Sequence, residues 1–200
     1  MKKKNFTQTE YFSKSFKDLS LVDSQINNIE FDGCRFEGCD FSYASLRNCR
    51  FIECQFIRCN LSSVNLGFSR FNDVEFIESK LIGINWGNVT WPNFALSAPI
   101  SFKQCILNDC SFIGLSLTEL VMEHCKAHHV DLRDCDFSHA IFTDTDFNHA
   151  RFGNSNLTNA DFSDAINYDI DLMNNQVKGA KFCRFEAVNL LESLGIELID

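Results

Sequence analysis

The stretch Gly33–Leu61 reads GCRFEGCDFSYASLRNCRFIECQFIRCNL and holds five cysteines. Zinc ligands come as close pairs, two to four residues apart, completed by a second pair. Here Cys34, Cys39, Cys49, Cys54 and Cys59 fall instead on a grid of five, with Ala44 in the vacant slot. Each stands two residues before a large apolar residue: Phe36, Phe41, Phe51, Phe56 and Leu61, with Leu46 following Ala44. The unit is small, polar, large apolar, then two mostly polar residues. Cysteine is one choice for the small slot, beside Ala44, Val64, Ser69 and Val74.

The grid extends in both directions. Every fifth residue from Phe6 to Leu96 is large and apolar or aromatic, 19 positions without exception. It then slips by one residue and continues from Phe102 to Phe182, where Ala127 and Asn167 are the exceptions among 17 positions. Of the 21 phenylalanines, 17 lie on this grid, and nine of the ten cysteines lie two residues before it. An internal repeat of this length and regularity decides the architecture.

A period of five matches neither the 3.6 of a helix nor the 2.0 of a strand. Each unit must be a short extended piece followed by a turn, so that the same side chain returns inward every fifth residue. Four such sides close a square coil of about 20 residues, and coils stack at roughly the 4.8 Å strand spacing. The fold class expected is an all-β solenoid, a quadrilateral β-helix, with a short C-terminal helix and an apolar tail.

The units ADFSD (Ala160–Asp164), SNLTN (Ser155–Asn159) and CDFSH (Cys135–His139) resemble the A(D/N)LXX consensus of pentapeptide-repeat proteins. That resemblance covers roughly residues 6–182 and implies a right-handed coil, a hand the period alone does not fix. Cysteine pairs 20 residues apart, such as Cys39 and Cys59, would stack in neighbouring coils, where a disulfide is geometrically allowed. The chain opens MKKKNFTQTEYF, without an apolar signal segment, so a cytoplasmic, reducing location and structural core thiols are expected.

The organisation expected is a first β-helix lobe (1–96), a register break (97–101), a second lobe (102–183) and a C-terminal segment (184–200). Both prolines, Pro92 and Pro99, fall around the break and favour a bend or bulged loop near residues 91–101. Trp86 and Trp91 occupy consecutive grid slots there and are expected to fill the core. In the last segment Ala187, Leu190, Leu191 and Leu194 keep helical spacing, Gly195 is a stop signal, and Ile196, Leu198 and Ile199 continue extended. Leu190, Leu191, Leu194, Ile196 and Leu198 offer more apolar surface than capping one coil requires. They are assigned to a two-fold homodimer interface.

The formal net charge is −9. Residues 1–100 carry 11 acidic and 11 basic side chains, and residues 101–200 carry 16 and 7, so the whole excess lies in the second half. All five histidines fall between residues 124 and 149. His129 and His149 share an outward column with Asp109 and Asp169; an adventitious surface metal is conceivable there, but neither a functional metal site nor a cofactor is expected. Asp136, Ser138 and His139 lie along one extended segment and point apart, so they make no triad. No phosphate loop or nucleophile elbow occurs, and a regular solenoid offers no deep pocket, so no enzymatic activity is expected. No apolar run is long enough to span a membrane.

Within the pentapeptide-repeat proteins, the chain resembles the topoisomerase-protecting group of Qnr, MfpA and albicidin-immunity proteins, the last above all. The stretches that carry this are FKQCILNDCSFIGL (Phe102–Leu115), GINWGNVTWP (Gly83–Pro92) and the terminal LLESLGIELID. It lacks the long inserted loops of Qnr proteins, and Lys2–Lys4 make the tip basic. The resemblance implies a dimer that mimics DNA in shape and charge, engages DNA gyrase, with topoisomerase IV a second candidate, and protects it from inhibitors such as albicidin or quinolones. It binds no nucleic acid itself. Two acidic lobes would place about 18 charges along roughly 40 Å, where duplex DNA carries about 24. The residues expected to meet gyrase are Asp109, Asp144, Asp146, Asp161, Asp164 and Asp169. The alternatives are a scaffold for another protein and direct sequestration of a small aromatic toxin at the Trp86–Trp91 break.

Overall fold

The computed structural model describes residues 2–3, 6–92, 97–196 and 199. The chain winds into a four-sided all-β solenoid of about eight turns. One side is a six-stranded parallel sheet formed by Ser15–Lys17, Arg35–Glu37, Gln55–Ile57, Val74–Ile77, Ile100–Lys103 and Val121–Glu123. The next side in space is four-stranded: Glu10–Phe12, Glu30–Asp32, Arg50–Ile52 and Arg70–Asn72. The other sides stack through single bridges, as in the series Asp40, Asn60, Lys80, Ile106, Lys126 and Asp146. Partners are 20 residues apart, as in Phe36↔Phe56, which is the coil length read from the period.

Phenylalanine dominates the grid because a flat ring satisfies two contacts at once. Along the axis, Phe16, Phe36, Phe56, Phe76 and Phe102 stack with centroids 5.0, 4.7, 5.1 and 5.4 Å apart. Across the coil the rings meet edge to face, as in Phe31 and Phe36 at 5.2 Å and 76°. Both are favoured aromatic geometries, and the core they build is continuous from Tyr11 to Leu190.

The small slot does more than make room. Each buried cysteine of the quoted stretch points its thiol at the carbonyl of the large residue in the preceding coil, as Cys49 does to Ile26 at 2.9 Å. Cys110 does so to Leu81 at 2.8 Å, and Thr145 and Ser155 use their hydroxyls the same way at 2.8 and 2.7 Å. The slot admits a small side chain, apolar or polar, and a donor placed there, as in Cys49, Thr145 and Ser155, finds this carbonyl. Burial pushes the thiols of Cys49 and Cys135 up to about 11 and those of Cys54 and Cys110 up to about 12. These groups stay protonated at neutral pH, and it is the thiolate that attacks or binds metal.

On the six-stranded side the ladder runs on through the break. Val74–Ile77 pairs directly with Ile100–Lys103, Phe76 opposite Phe102, so this one coil is six residues longer than its neighbours. Trp86 fills the enlarged space: it is fully buried, with Phe71, Phe76, Phe102 and Phe112 within 5.5–5.9 Å. Trp91 is only half-buried and donates its indole N–H to the Trp86 carbonyl at 3.0 Å. Leu96, the last grid slot before the slip, lies outside the described residues.

A second slip was not read from the sequence. Asn167 is turned out with φ +57°, and Tyr168 enters the core in its place. The C-terminal helix, Glu186–Leu194, is a 3₁₀ helix, long for that type, and Gly195 follows with φ +69°. It closes the last coil: Asn167 N–H donates to Glu186 at 3.1 Å and Leu172 N–H to Ser193 at 3.2 Å. In the native protein, one of the ten thiols, the half-buried Cys183, should react with a disulfide reagent, rising to ten after denaturation. Rapid native reaction of several thiols would show that the stacked core opens.

Candidate functional site

The last residue of the repeating unit turns the corner between sides, and it does so with a left-handed backbone. Through the second half this holds for Gln104, Asp109, Glu119, His124, His129, Asp134, His139, Asp144, His149, Asn154, Asn159 and Asp164, all with φ between 52° and 61°. Left-handed backbone costs an L-residue roughly 1–2 kcal/mol, least for Asn and Asp, and several-fold more Asn, Asp and His are found there than other side chains. None of these corner residues is β-branched. Local conformation thus explains why Asp, Asn and His alternate up the corners, and why four of the five histidines stand there.

The flat sides and the corners divide the charge between them. Between residues 102 and 183 the sides carry Glu123, Asp131, Asp136, Asp146, Asp161 and Asp171, against Lys103, Arg133, Arg151, Lys126, Lys178 and Lys181. These six and six cancel. What remains is the corner set Asp109, Glu119, Asp134, Asp144 and Asp164, all exposed, together with the exposed Asp169.

The carboxylates on the sides are also held internally. The five aspartates among them accept the backbone N–H two residues on, as Asp146 does from Asn148 at 3.1 Å and Asp161 from Ser163 at 2.9 Å. Asp146 meets His128 Nε2 at 2.7 Å and Asn167 at 2.8 Å, and Asp161 meets Lys181 at 2.7 Å. Partial burial works against their ionisation, but these partners outweigh it and hold both carboxyls below the usual range. Asp131 is buried at 3% exposure. Arg133, donating to both its oxygens at 2.8 Å, and then Arg151 hold its carboxyl low as well.

Of the six acidic residues singled out in the sequence, the structure therefore separates two kinds. Asp146 and Asp161 are paired and partly buried; Asp109, Asp164 and Asp169 have no ion pair among the described residues, and Asp144 has only His124 at 3.6 Å. Asp144 and Asp164 stack in one corner column, with Asp161 on the adjoining side. Glu119 and Asp134 belong with the free set and were missed as site residues. Their signal was present: the last position of the unit runs through Asp, Asn, His, Gly and Glu. His129 and His149 stack at 5.0 Å and 13°. Among the described residues no group of three or more His, Cys, Asp or Glu side chains is placed to hold a metal ion.

At the C-terminal end, Leu190 is turned into the core, closing its own chain's last coil rather than facing outward. Leu191 is half-buried, Leu194 and Ile196 are exposed, and Leu198 lies outside the described residues. The exposed apolar surface is extended by Met173, Phe185 and Val188, with Phe185 86% exposed. These three lie off the helical spacing that drew attention to the leucines. No helix among the described residues is long and apolar enough to cross a membrane.

Because Asp131, Asp146 and Asp161 are depressed in the folded state, their stabilisation is fully present above the unfolded carboxylate value of about 3.9 and is lost as pH falls through the lower folded values. The melting temperature should hold from pH 7 to about 5 and fall steeply below pH 4. D131N, which strands two arginines over a buried amide, should cost about 1–3 kcal/mol at neutral pH and flatten the acid limb.

Comparison with known proteins follows the same lines. The pentapeptide repeat region family matches residues 29–97 and 84–162. No curated protein sequence matches significantly. Among solved structures, a trypsin-treated form of QnrB1, a plasmid-mediated fluoroquinolone resistance protein, is similar with TM-score 0.78 and 16% identity over 96% of this chain and 99% of that one. A second trypsin-treated form gives 0.64 and 21% over 92% and 100%. HetL of the cyanobacterium Nostoc, a pentapeptide repeat protein involved in heterocyst differentiation regulation, gives 0.62 and 16% over 89% and 86%. At these identities the likeness is one of fold. The five-residue period, the square coil and the matched repeats together make this chain a member of the pentapeptide-repeat family.

Proposed function

We propose that the chain is a non-catalytic DNA mimic that binds DNA gyrase and protects it from a topoisomerase inhibitor, in the manner of an antibiotic-immunity protein. The observation that carries this reading is the corner charge, which no lysine or arginine among the described residues pairs. Asp109, Glu119, Asp134, Asp144 and Asp164 wind around the rod within about three coils, roughly 13 Å of axis at the strand spacing. That is one charge per ~3 Å, close to the ~3.4 Å per phosphate of a single DNA strand. The QnrB1 structures support it by showing that a coil of this form exists in a fluoroquinolone resistance protein.

Dimerisation through the C-terminal end deepens the mimicry by bringing two such acidic stretches together. Leu194 and Ile196 would meet the partner with Phe185, Val188 and Met173, while Leu190 fixes the helix beneath them. An F185E/L194E variant should then elute at half the assembly mass while keeping its melting temperature.

The central experiment is DNA supercoiling by purified gyrase, titrated with this protein in the presence of albicidin or a fluoroquinolone. Restored supercoiling is expected with one of the drugs. The corner conformation dictates how the charge should be removed: asparagine tolerates left-handed backbone and takes the place of aspartate without strain. D109N/D144N/D164N should weaken gyrase binding by about tenfold or more at low salt, where unscreened charge dominates, with stability within about 0.5 kcal/mol of wild type. Unchanged affinity would exclude the corner charges as the recognition element.

A further inference from the structure

The first half of the coil keeps its surface charges in alternating register. Lys17 meets Glu37 at 3.0 Å, Arg50 meets Glu30 at 2.9 Å, and Gln55 donates to Glu75 at 2.7 Å. Two oppositions on the four-stranded side break that pattern, Glu10 opposite Glu30 and Arg50 opposite Arg70, and only the second is cationic. On the four-stranded side Arg50 lies directly opposite Arg70, with Glu30 opposite Arg50 on the other strand. Glu30 takes Arg50, and no carboxylate among the described residues pairs with Arg70. Like charges directly opposed across strands are destabilising. Local rules broken without compensation mark functional or strained places.

Arg70–Asn72 is also the last strand of that side before the long coil. A groove of about 540 Å³ opens there, and its lining includes Arg50, Arg70, Phe71, Asn72, Trp91 and Pro92. This volume suits a small molecule. The rings of Trp91 and Phe71 lie 6.5 Å apart at 30°. Because the Trp91 N–H is already given to Trp86, the indole offers the groove a ring face and edge instead of a donor.

We propose that this groove is a binding site for a small organic anion with an aromatic body. The anionic group sits on Arg70 with Arg50 beside it, relieving the like-charge contact, and the ring lies against Trp91. This site is separate from the acidic corners and does not depend on gyrase recognition.

Trp86 and Trp91 are the only tryptophans in the chain, so indole emission reports on this region. The full-length protein would be titrated at low ionic strength with benzoate, with neutral benzamide and with inorganic phosphate. Benzoate should change the emission saturably, with benzamide and phosphate each weaker by about tenfold or more, since both charge and ring are needed. R70Q should weaken benzoate by a similar factor while its melting temperature stays level or rises. R70E, which replaces the like charge opposite Arg50 by a second carboxylate partner, should raise the melting temperature and abolish the response. Equal binding of benzamide or phosphate, undiminished benzoate binding by R70Q, or absence of a saturable response would each overturn the proposal. So would a fall in the melting temperature of R70Q, which would make Arg70 a structural residue.

Discussion

Everything in this molecule depends on one contact repeated along its axis: a large side chain that stacks on the equivalent side chain one coil away. Stacking at 4.7–5.4 Å in the Phe16–Phe102 column is close to the backbone spacing of parallel strands. Ring contact and ladder hydrogen bonds are therefore satisfied by the same geometry. A bulkier or smaller residue at any one slot disturbs both neighbours. The long coil shows how the constraint is met when it is broken: Val74–Ile77 still pairs with Ile100–Lys103, and Trp86 fills the widened interior.

The same constraint shapes the surface. Returning the chain inward every fifth residue demands four tight corners per coil, and the corners demand left-handed backbone. Most residues that take it here are polar, and several of them are acidic. The sides, by contrast, stack side chains directly above one another, which favours neutralising partners such as Glu30–Arg50 and Asp161–Lys181. Net charge is thereby driven to the edges of the rod. An acidic ridge can arise from backbone economy alone, so its magnitude matters more than its presence. The corners of the first half are acidic too, with Asp18, Asp23, Glu53, Asp73 and Glu78 against Arg58, but basic residues elsewhere in that half offset them; in the second half the remaining charges only cancel one another.

Arg50 and Arg70 illustrate the converse. In a ladder with period 20, an unfavourable opposition can be removed by one substitution at either position. This one lies beside the long coil, on the last strand of the four-stranded side. A groove there joins two features, unpaired positive charge and a half-buried indole, that the regular coil nowhere else brings together.

Much was legible in the sequence because a solenoid makes sequence distance and spatial distance almost the same thing. Period, coil length, which residues stack and the location of the break all follow from counting, since each coil touches only its neighbours. The site was half legible. That Asp144 and Asp164 share a column is arithmetic, and that the charge belongs to the second half is a count. Which carboxylates remain free is not, because pairing depends on where the side chains of different coils meet. Asp146 against His128, Asp131 beneath two arginines and Asp161 under Lys181 are decided only when the coils are superposed. The thiol–carbonyl bonds were hidden for the same reason, since a cysteine in a small slot reads as volume until the carbonyl above it is placed. At the C-terminus the period itself gives out. Tyr168 replacing Asn167 and Leu190 turning inward are consequences of closing an open end, where no further coil dictates the register and packing alone decides.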